Sequence, residues 1–433
     1  MEKHKINFSK IFDQLFPLNR SILGSGYKKS LEIISNFIPF NKLRYKSGKK
    51  IFDWVVPKEW EIREGFIKYN GKKILDYKKN NLHVLSYSDR VNKILDLNQL
   101  KKRIFSLPKK PKFIPYVTSY YNRTWGFCMS FNQKKKLNTG RYHCVVDSYF
   151  KQGELINGFA QIKGKSKKII LISTYLCHPS LANNELSGPL TMIGLYNKIK
   201  LWKNKNFTYI FLINPETIGS LCFLYSHGKK LKRLLDSGLV LTCLGGPKKK
   251  LSYKLSKKGN STLDKLFIYL NQNKKILLRE FDPSEGSDER QYNSPGFNLP
   301  VGNISRTVYE KYNQYHNSGD DKKFMNISMI EKSVNQLSKI LEINDYLLPI
   351  KRIMPYGELM LSKRNLYSTI NFQGKDKDIN NFNIVEKKIL LNILNYADGS
   401  LNILEISKLR KLNFYKAIEV LKICLKKKLI KFL

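Results

Sequence analysis

The stretch that decides the fold is Ile169–Leu190, which reads IILISTYLCHPSLANNELSGPL. It opens with Ile169–Thr174, a largely apolar run of strand length, which is typical of a strand buried on both faces of a sheet. From Pro189 to Trp202 the apolar residues recur at helical spacing instead. A buried strand followed by an amphipathic helix is the unit from which parallel α/β sheets are built.

The same alternation continues along the chain to about Leu348. It predicts strands at Thr208–Ile213 and Leu239–Cys243, and a helix at Ile218–Leu235 between them. Strands and amphipathic helices that alternate in this way indicate an α/β fold, in which a mixed sheet is flanked by helices on both faces.

Two further regions have a different pattern. Residues 43–150 are rich in Tyr, Trp and Val, and Phe66–Tyr69 is followed by Asn70-Gly71, a pair typical of β-hairpin turns. After a polar stretch at 373–381, the last fifty residues contain short helices and a final strand-like segment. The sequence predicts an α/β domain over 1–42 and 151–350, an inserted mainly-β domain over 43–150, and a winged-helix-like module over 375–433.

The chain is strongly basic, with 433 residues and a formal net charge of +44. Its lysines are spread along the whole chain together with many Asn and Ile residues, and all three have A/T-rich codons. Runs such as Lys248–Lys250 and Lys426–Lys428 are typical of solvated surface. Nucleic acid is therefore not expected as a partner.

Membrane and secretion signals are missing from the sequence. No apolar run approaches the roughly 18 residues of a membrane span, and residues 1–9 lack the apolar centre of a signal peptide. The six cysteines form no CxxC pair, so we interpret them as reduced core residues. Cys177, next to His178, is the one that could take part in a site. We expect a cytoplasmic protein.

Polar groups follow the predicted strands at their ends. His178 and Glu185 come after the first strand, and Glu216 comes two residues after Asn214, at the end of the second. Ligands of open α/β sheets bind beyond the carboxyl ends of the strands, so these side chains are expected at one rim. His316 lies in a polar loop, and imidazole and carboxylate groups are the ligands that zinc prefers.

These segments resemble the ordered motifs of co-catalytic zinc aminopeptidases. They are more similar still to bacterial proteins with an aminopeptidase-like domain and a C-terminal winged helix, often encoded with genes of surface-polysaccharide biosynthesis. The matching segments include Leu15–Ile22, His178, Asn184–Gly188, Pro215–Ser220, Gly286–Tyr292 and Tyr315–Asp320. The resemblance covers nearly the whole chain and implies a zinc-aminopeptidase-like mixed sheet.

The resemblance also implies roles for individual residues. His178 and His316 match two imidazole ligands of zinc. Glu216 matches one of two adjacent glutamates, of which one binds metal and the other is the general base that activates water. Because Pro215 precedes Glu216, this chain has a single glutamate there, and we assign it the role of base.

Several positions depart from the family pattern. The carboxylate that bridges two metals falls on Asn184, whose amide binds a hard cation poorly, so we predict that neighbouring Glu185 supplies the metal ligand. An aspartate ligand expected after the third strand, which ends near Cys243, is missing, and the chain has Leu244–Pro247 there instead. Asp288 and Asp320 are expected to bind metal or to orient the histidine ligands. The implied cofactor is zinc, as one or two ions, with other divalent metals and an empty site left open.

Three functions remain open on the sequence. The first is a metal-dependent aminopeptidase or amidohydrolase, in which water activated by metal and Glu216 attacks the carbonyl of a small peptide or amide. The second is a degenerate aminopeptidase fold that only binds its ligand. The third is a DNA-binding regulator, but residues 413–420 in the C-terminal module offer no arginine to read bases, so packing or dimerisation is preferred for the module. Homo-oligomerisation stays open.

Overall fold

The computed structural model describes residues 6–364, 366 and 384–433. Its helices are α1 (Phe8–Leu15), α2 (Ser25–Ser35), α3 (Leu97–Lys101), α4 (Phe131–Lys135), α5 (Ser187–Lys200), α6 (Ile218–Leu234), α7 (Thr262–Gln272), α8 (Glu289–Tyr292), α9 (Ile327–Asn344), α10 (Ile384–Tyr396), α11 (Ile403–Leu409) and α12 (Phe414–Lys426). A π-helical turn covers Ala182–Leu186, and 3₁₀ turns cover Asn81–His83 and Ser362–Arg364.

The strands, in chain order, are β1 (Asn41–Lys46), β2 (Lys50–Ile51), β3 (Trp54–Val55), β4 (Glu59–Tyr69), β5 (Lys72–Asp76), β6 (Val91–Asp96), β7 (Ile104–Phe105), β8 (Phe127–Cys128), β9 (Arg141–Lys151), β10 (Glu154–Ile162), β11 (Ile169–Tyr175), β12 (Thr208–Asn214), β13 (Leu235–Leu241), β14 (Ser252–Lys254), β15 (Leu277–Arg279), β16 (Val301–Ser305), β17 (Ile350–Arg352) and β18 (Ile430–Phe432).

Eight of the described strands form one mixed sheet, in the order β1-β10-β12-β11-β13-β16-β14-β15. Its central strands β12, β11, β13 and β16 are parallel to one another, and β10 joins β12 antiparallel. Every residue of β11 and β12 is buried, as their apolar runs predict. The predicted α/β fold with a mixed sheet is confirmed.

Helix α5 packs against the centre of this sheet at its first turn. A Cβ atom added to Gly188 would lie 2.1 Å from Oγ1 of Thr174 and 2.5 Å from the carbonyl oxygen of Leu241. Glycine is therefore needed where the helix begins against strands β11 and β13. This contact places the polar turn before α5 directly at the ends of the two strands.

The mainly-β region contains a four-stranded antiparallel sheet in the order β5-β4-β9-β6. The predicted hairpin joins β4 to β5, where Tyr69 pairs with Lys72. Asn70 and Gly71 both have positive φ angles, 47° and 76°, as the favoured two-residue hairpin turn requires.

The chain divides into two compact units. The first comprises Met1–Lys163, Lys167–Lys203 and Thr208–Ser338, and the second comprises Gly164–Ser166, Asn204–Phe207 and Lys339–Leu433. In the second unit α10, α11 and α12 pack together, and β17 pairs antiparallel with β18. This arrangement confirms a winged helix at the C-terminal end. The predicted module start at 375 lies outside the described residues, and the domain boundaries stay predictions.

Among the described residues, no helix is both long enough and apolar enough to cross a membrane.

Candidate active site

Two neighbouring parallel strands end at the candidate site. In the sheet, Tyr175 at the end of β11 lies beside Asn214 at the end of β12. His178 follows three residues later on the first chain segment and Glu216 two residues later on the second. The two side chains meet at this edge, with Nε2 of His178 3.5 Å from Oε2 of Glu216.

Glu185 binds His178 through both carboxylate oxygens. Its Oε1 accepts the backbone N–H of His178 at 2.8 Å, and its Oε2 lies 2.6 Å from Nδ1. A carboxylate on the far ring nitrogen is the usual way in which proteins orient a metal-binding histidine. The sequence predicts Glu185 as a metal ligand, whereas in the structure its two oxygens are engaged by His178.

The buried charges around His178 favour its protonated form in the metal-free site. Burial lowers the pKa of His178, but the interactions with Cys177 and Glu185 outweigh burial and raise this pKa well above its usual value. The imidazole of His178 lies between two acidic side chains, Glu185 at Nδ1 and Glu216 at Nε2. Binding of a metal ion at Nε2 would displace a proton, as is general for histidine ligands.

A π-helical turn presents Asn184 and Glu185 to the strand ends. Asp320 fixes this turn, because its two carboxylate oxygens accept the backbone N–H groups of Asn183 at 2.7 Å and Asn184 at 2.8 Å. The carbonyl oxygen of Asp320 accepts the N–H of Ala182 at 2.9 Å. Burial raises the pKa of Asp320 to about 7. Asp320 thus shapes the turn that carries the site.

Glu216 lies on the turn between β12 and α6 and is the more accessible of the two site glutamates, with 23% of its side chain exposed against 0% for Glu185. Its backbone N–H contacts Sγ of Cys177 at 3.3 Å, and its Oε1 accepts the hydroxyl of Ser287 at 2.5 Å. Burial raises the pKa of Glu216, although His178 and Ser287 oppose the shift. A raised pKa suits a group that must accept a proton and release it.

Asp288 is hydrogen-bonded to the turn between β12 and α6 that carries Glu216. It is fully buried and accepts the amide of Asn214 at 2.8 Å, the backbone N–H of Thr217 at 2.7 Å and the hydroxyl of Ser220 at 3.0 Å. Burial and then the charge of Glu216 raise the pKa of Asp288 to about 7. The hydrogen bonds found for Asp288 and Asp320 within the described residues involve the site-bearing turns and neither histidine.

His316 faces His178 across the site, with 5.4 Å between the ring centroids. Its ring stacks on Tyr315, and the ring of Tyr116 lies edge-on to both histidines, at 5.5 Å from His316 and 5.0 Å from His178. Burial, and then the charge of His178, lower the pKa of His316 to about 3. His316 is therefore a neutral imidazole at physiological pH, with a ring nitrogen able to bind metal.

Asn184 occupies the position where a bridging carboxylate was expected. Its Nδ2 donates to Oη of Tyr175 at 3.2 Å and lies 3.9 Å from Sγ of Cys243. Its Oδ1 is buried and has no hydrogen-bond partner among the described residues. Burial raises the pKa of the Cys243 thiol to about 11, so a neutral thiol lies near the place of the missing aspartate.

The chemistry of these donors suits one divalent ion and does not suit two. His178 and His316 each offer an imidazole nitrogen. Glu216 offers a carboxylate, and Asn184 offers an amide oxygen without a hydrogen-bond partner among the described residues. A pair of ions needs a carboxylate that bridges them, and an amide cannot replace it. Among the described His, Cys, Asp and Glu side chains, Cys177, His178 and Glu185 are the three whose potential ligand atoms all lie within 4.8 Å of one another, so His178, His316 and Glu216 would have to draw closer to bind a shared ion. Burial raises the pKa of Cys177 to about 11, and this thiol would have to release its proton to bind a metal ion.

Two contributors to the site were not assigned a role from the sequence. Both lie in segments that match the family pattern, Arg20 in Leu15–Ile22 and Ser287 in Gly286–Tyr292. Both make hydrogen bonds to site residues far away in the sequence, Ser287 to Glu216 and Arg20 to the carbonyl of His178 at 3.0 Å. Contacts between residues so far apart leave no periodic signal in a single sequence.

The mixed sheet, the strand-end cluster and the winged helix together define an aminopeptidase-like protein with a C-terminal winged helix. Residues 9–346 match the family described as a domain of unknown function, DUF4910, and residues 349–432 match a winged helix-turn-helix family. The chain belongs to the DUF4910 family. This membership, together with the relatives below, confirms the resemblance drawn from the sequence.

Three relatives illustrate the similarity. A Clostridium acetobutylicum protein, provisionally named a polysaccharide biosynthesis protein with an aminopeptidase-like domain, is 36% identical over 400 residues, which cover 92% of this chain and 89% of the relative. The crystal structure of a provisionally named peptidase from the same organism has a TM-score of 0.85 and 33% identity, covering 98% of this chain and 96% of that one. A zinc aminopeptidase from Bacillus subtilis shares the fold, with a TM-score of 0.55, 13% identity and coverage of 77% and 93%.

Proposed function

We propose that this protein is a metal-dependent hydrolase that cleaves an amide bond in a small peptide or amide substrate, within surface-polysaccharide biosynthesis. The observation that carries the proposal is the oriented pair of His178 and Glu216, with Nε2 of the histidine 3.5 Å from the carboxylate. The peptide or amide class rests on the aminopeptidase-like fold, and the biological setting on the name of the Clostridium acetobutylicum relative.

The donor set supports one divalent ion, zinc or a similar metal. His178 and His316 would hold it through ring nitrogens. The unpaired Oδ1 of Asn184 is a third possible ligand atom near the same strand end. A bound ion would polarise the amide carbonyl and lower the pKa of water towards about 7. Glu185 keeps the His178 ring in place for this role.

Glu216 acts as the general base in the proposal. Ser287 holds Oε1 of Glu216, which leaves Oε2 on the side of His178, where water must be deprotonated. After attack on the carbonyl, the protonated Glu216 donates its proton to the leaving amine. The partly exposed position of Glu216 allows contact with substrate and solvent, whereas Glu185 is closed off from both.

The test combines metal content with activity. Protein purified without chelators should contain close to one equivalent of zinc, cobalt or manganese, measured by elemental analysis. It should hydrolyse aminoacyl anilides, and Glu216→Gln should reduce the rate by a factor of about 10²–10⁴, the usual contribution of a general base. Glu61→Gln is the control, on a half-buried glutamate of β4 whose carboxylate binds Ser25, and it should retain activity.

Two results would refute the proposed hydrolase function. One is protein without any bound divalent metal after reconstitution. The other is equal turnover by wild type and Glu216→Gln. Retained binding of aminoacyl anilides without turnover would instead support the second candidate, a binding protein on a degenerate aminopeptidase fold. The specific observation that favours this candidate is the amide of Asn184 at the bridging position.

The C-terminal winged helix is proposed to serve packing or dimerisation. In α12 the exposed residues at the start of the helix are Tyr415, Lys416 and Glu419, a set that offers little for bidentate reading of bases. The proposal keeps three domains: residues 1–42 together with 151–350, residues 43–150, and residues 375–433. Gel filtration of the full chain tests whether the protein is a dimer.

A further inference from the structure

Arg20 links the N-terminal helix to the backbone of the proposed metal-binding histidine. Its Nε donates to the carbonyl oxygen of His178 at 3.0 Å. Its Nη1 donates to the carbonyl oxygen of Leu15, the last residue of α1. The guanidinium thus spans two main-chain segments that are more than 150 residues apart in the sequence.

The burial of this cation is complete. Arg20 has 0% of its surface exposed, and its Nη2 has no hydrogen-bond partner among the described residues. Burial lowers the pKa of Arg20 to about 10, while the charge of Glu185 acts in the opposite direction. Arg20 therefore stays positive at neutral pH, close enough to the buried carboxylate of Glu185 for the two charges to stabilise each other.

Burying an arginine with one nitrogen unpaired is costly. The carbonyl groups it binds are main-chain acceptors, and the guanidinium meets them through two different nitrogens at a fixed separation, whereas the donors of a lysine share a single nitrogen. The planar fork of Arg20 instead fixes the distance between the end of α1 and the peptide of His178. Helix ends also favour a cation near their last carbonyls.

We propose that Arg20 is a positioning residue of the site. It holds the main chain of His178 so that Glu185 reaches Nδ1 and Glu216 faces Nε2 of the same ring. This inference rests on the proposed function in one respect, since it takes His178 as a metal ligand.

A second buried arginine provides a matched control. Arg306 is 2% exposed and likewise binds main-chain carbonyls, those of Lys248 and Lys249, as well as Ser333. Among the described residues, its side chain makes no hydrogen bond or ion pair with His178, Glu185 or Glu216. Replacing Arg306 should therefore destabilise the fold without acting on the site.

The experiment compares Arg20→Lys and Arg20→Met with Arg306→Lys and Arg306→Met in the full chain. Thermal unfolding reports stability, titration with CoCl₂ reports metal affinity, and ¹⁵N-histidine NMR of the metal-free protein reports the state of the His178 ring. We expect all four variants to unfold at lower temperature. Only the Arg20 variants should bind Co²⁺ about 10–100-fold more weakly, the usual effect of losing a group that supports a metal ligand, and only they should shift the His178 signals.

Other results would contradict a positioning role for Arg20. If the Arg20 variants bind Co²⁺ within twofold of the Arg306 variants and leave the His178 signals unchanged, Arg20 only stabilises the fold and the inference is wrong. If wild type itself binds no Co²⁺, the proposed function fails, and the metal-free His178 signals alone decide the role of Arg20: a shift in Arg20→Lys supports it, and no shift overturns it.

A measurement on wild type covers the case in which the Arg20 variants do not fold. The Nε–H groups of Arg20 and Arg306 are buried and hydrogen-bonded, so both should give slowly exchanging ¹⁵N-arginine signals, and Arg306→Lys identifies the second. Addition of ZnCl₂ should move the Arg20 signal and leave that of Arg306 in place. An Arg20 signal that does not respond to zinc in a zinc-binding protein contradicts the proposal.

Discussion

The hydroxyl of Ser287 donates a hydrogen bond of 2.5 Å to Oε1 of Glu216. The backbone N–H of Ser287 is in turn bound by the carboxylate of Glu289, at 3.2 Å to each oxygen. Asp288, between them in the sequence, binds the backbone N–H that follows Glu216. Three consecutive residues at the start of α8 thus fix the orientation of the proposed base.

Ser287→Ala should lower the rate of amide hydrolysis by about tenfold, because a hydrogen bond to a charged group contributes about 1.5–3 kcal/mol. Loss of the hydroxyl also removes a group that stabilises the Glu216 carboxylate, so the acidic limb of the pH–rate profile should move to higher pH. Ser284→Ala, in the loop before α8 but bound to Asp282 on the surface, is the control. Equal rates and profiles for the two variants would show that Ser287 does not position the base.

Asn184→Asp should increase the capacity of the site for metal. The variant supplies a carboxylate at the bridging position, which suits divalent ions better than an amide does. We expect calorimetric titration with zinc to show affinity raised at least tenfold, or a second equivalent bound. Asn183→Asp adds the same charge one residue away, where the side-chain oxygen already accepts the N–H of Gly245. Identical zinc binding by both variants would argue against Asn184 as a site residue.

Lys254→Met should destabilise the protein by about 3–5 kcal/mol, since it leaves the carboxylate of Glu289 buried without its ion-pair partner. The two groups are 2.7 Å apart, with 1% and 0% of their side chains exposed. The free energy of urea unfolding measures the effect. Arg44→Met breaks an exposed pair with Glu154 and should change this free energy by less than about 1 kcal/mol. Comparable losses in the two variants would be inconsistent with the prediction.

His83 should make stability depend on pH. Burial lowers its pKa below the usual value of 6.5, and Nδ1 binds the carbonyl oxygen of Cys128 at 2.9 Å. Below about pH 6.5 the unfolded chain therefore takes up a proton at His83 while the folded protein does not. The contribution of His83 to the free energy of unfolding is thus fully present above that pH and is lost as pH falls. Between pH 7 and 5 the unfolding free energy should decrease less in His83→Asn than in wild type, with a difference of at most about 1.4 kcal/mol per pH unit. Parallel pH dependences would show that His83 has no such role.

Much of the fold could be predicted because it rests on local patterns. The strands at Ile169–Tyr175 and Thr208–Asn214 begin where the apolar runs begin, and the Asn70-Gly71 hairpin follows from backbone preference alone. The third strand was placed at Leu239–Cys243, but it spans Leu235–Leu241. Cys243 has a φ of 51°, in the left-handed region, so the apolar run continues past the end of the strand.

The site was only partly predictable. Strand ends brought His178 and Glu216 to one rim, as expected from topology. The partner of His178 was not foreseen, because Glu185 acquires it through a π-helical turn that no spacing rule indicates. The burial of Arg20 against His178 and the support from Ser287 depend on long-range packing, which one sequence does not encode in any periodic form.

The π-helical turn at Ala182–Leu186 has an evolutionary consequence. Such a turn is equivalent to one residue inserted into an α-helix, and each residue turns the helix by roughly 100°. Deleting one residue here would let α5 extend regularly towards the strand while swinging Asn184 and Glu185 away from His178. We therefore expect the length of this segment to be as constrained as its side chains, and a relative that lacks the extra residue would need another partner for its histidine.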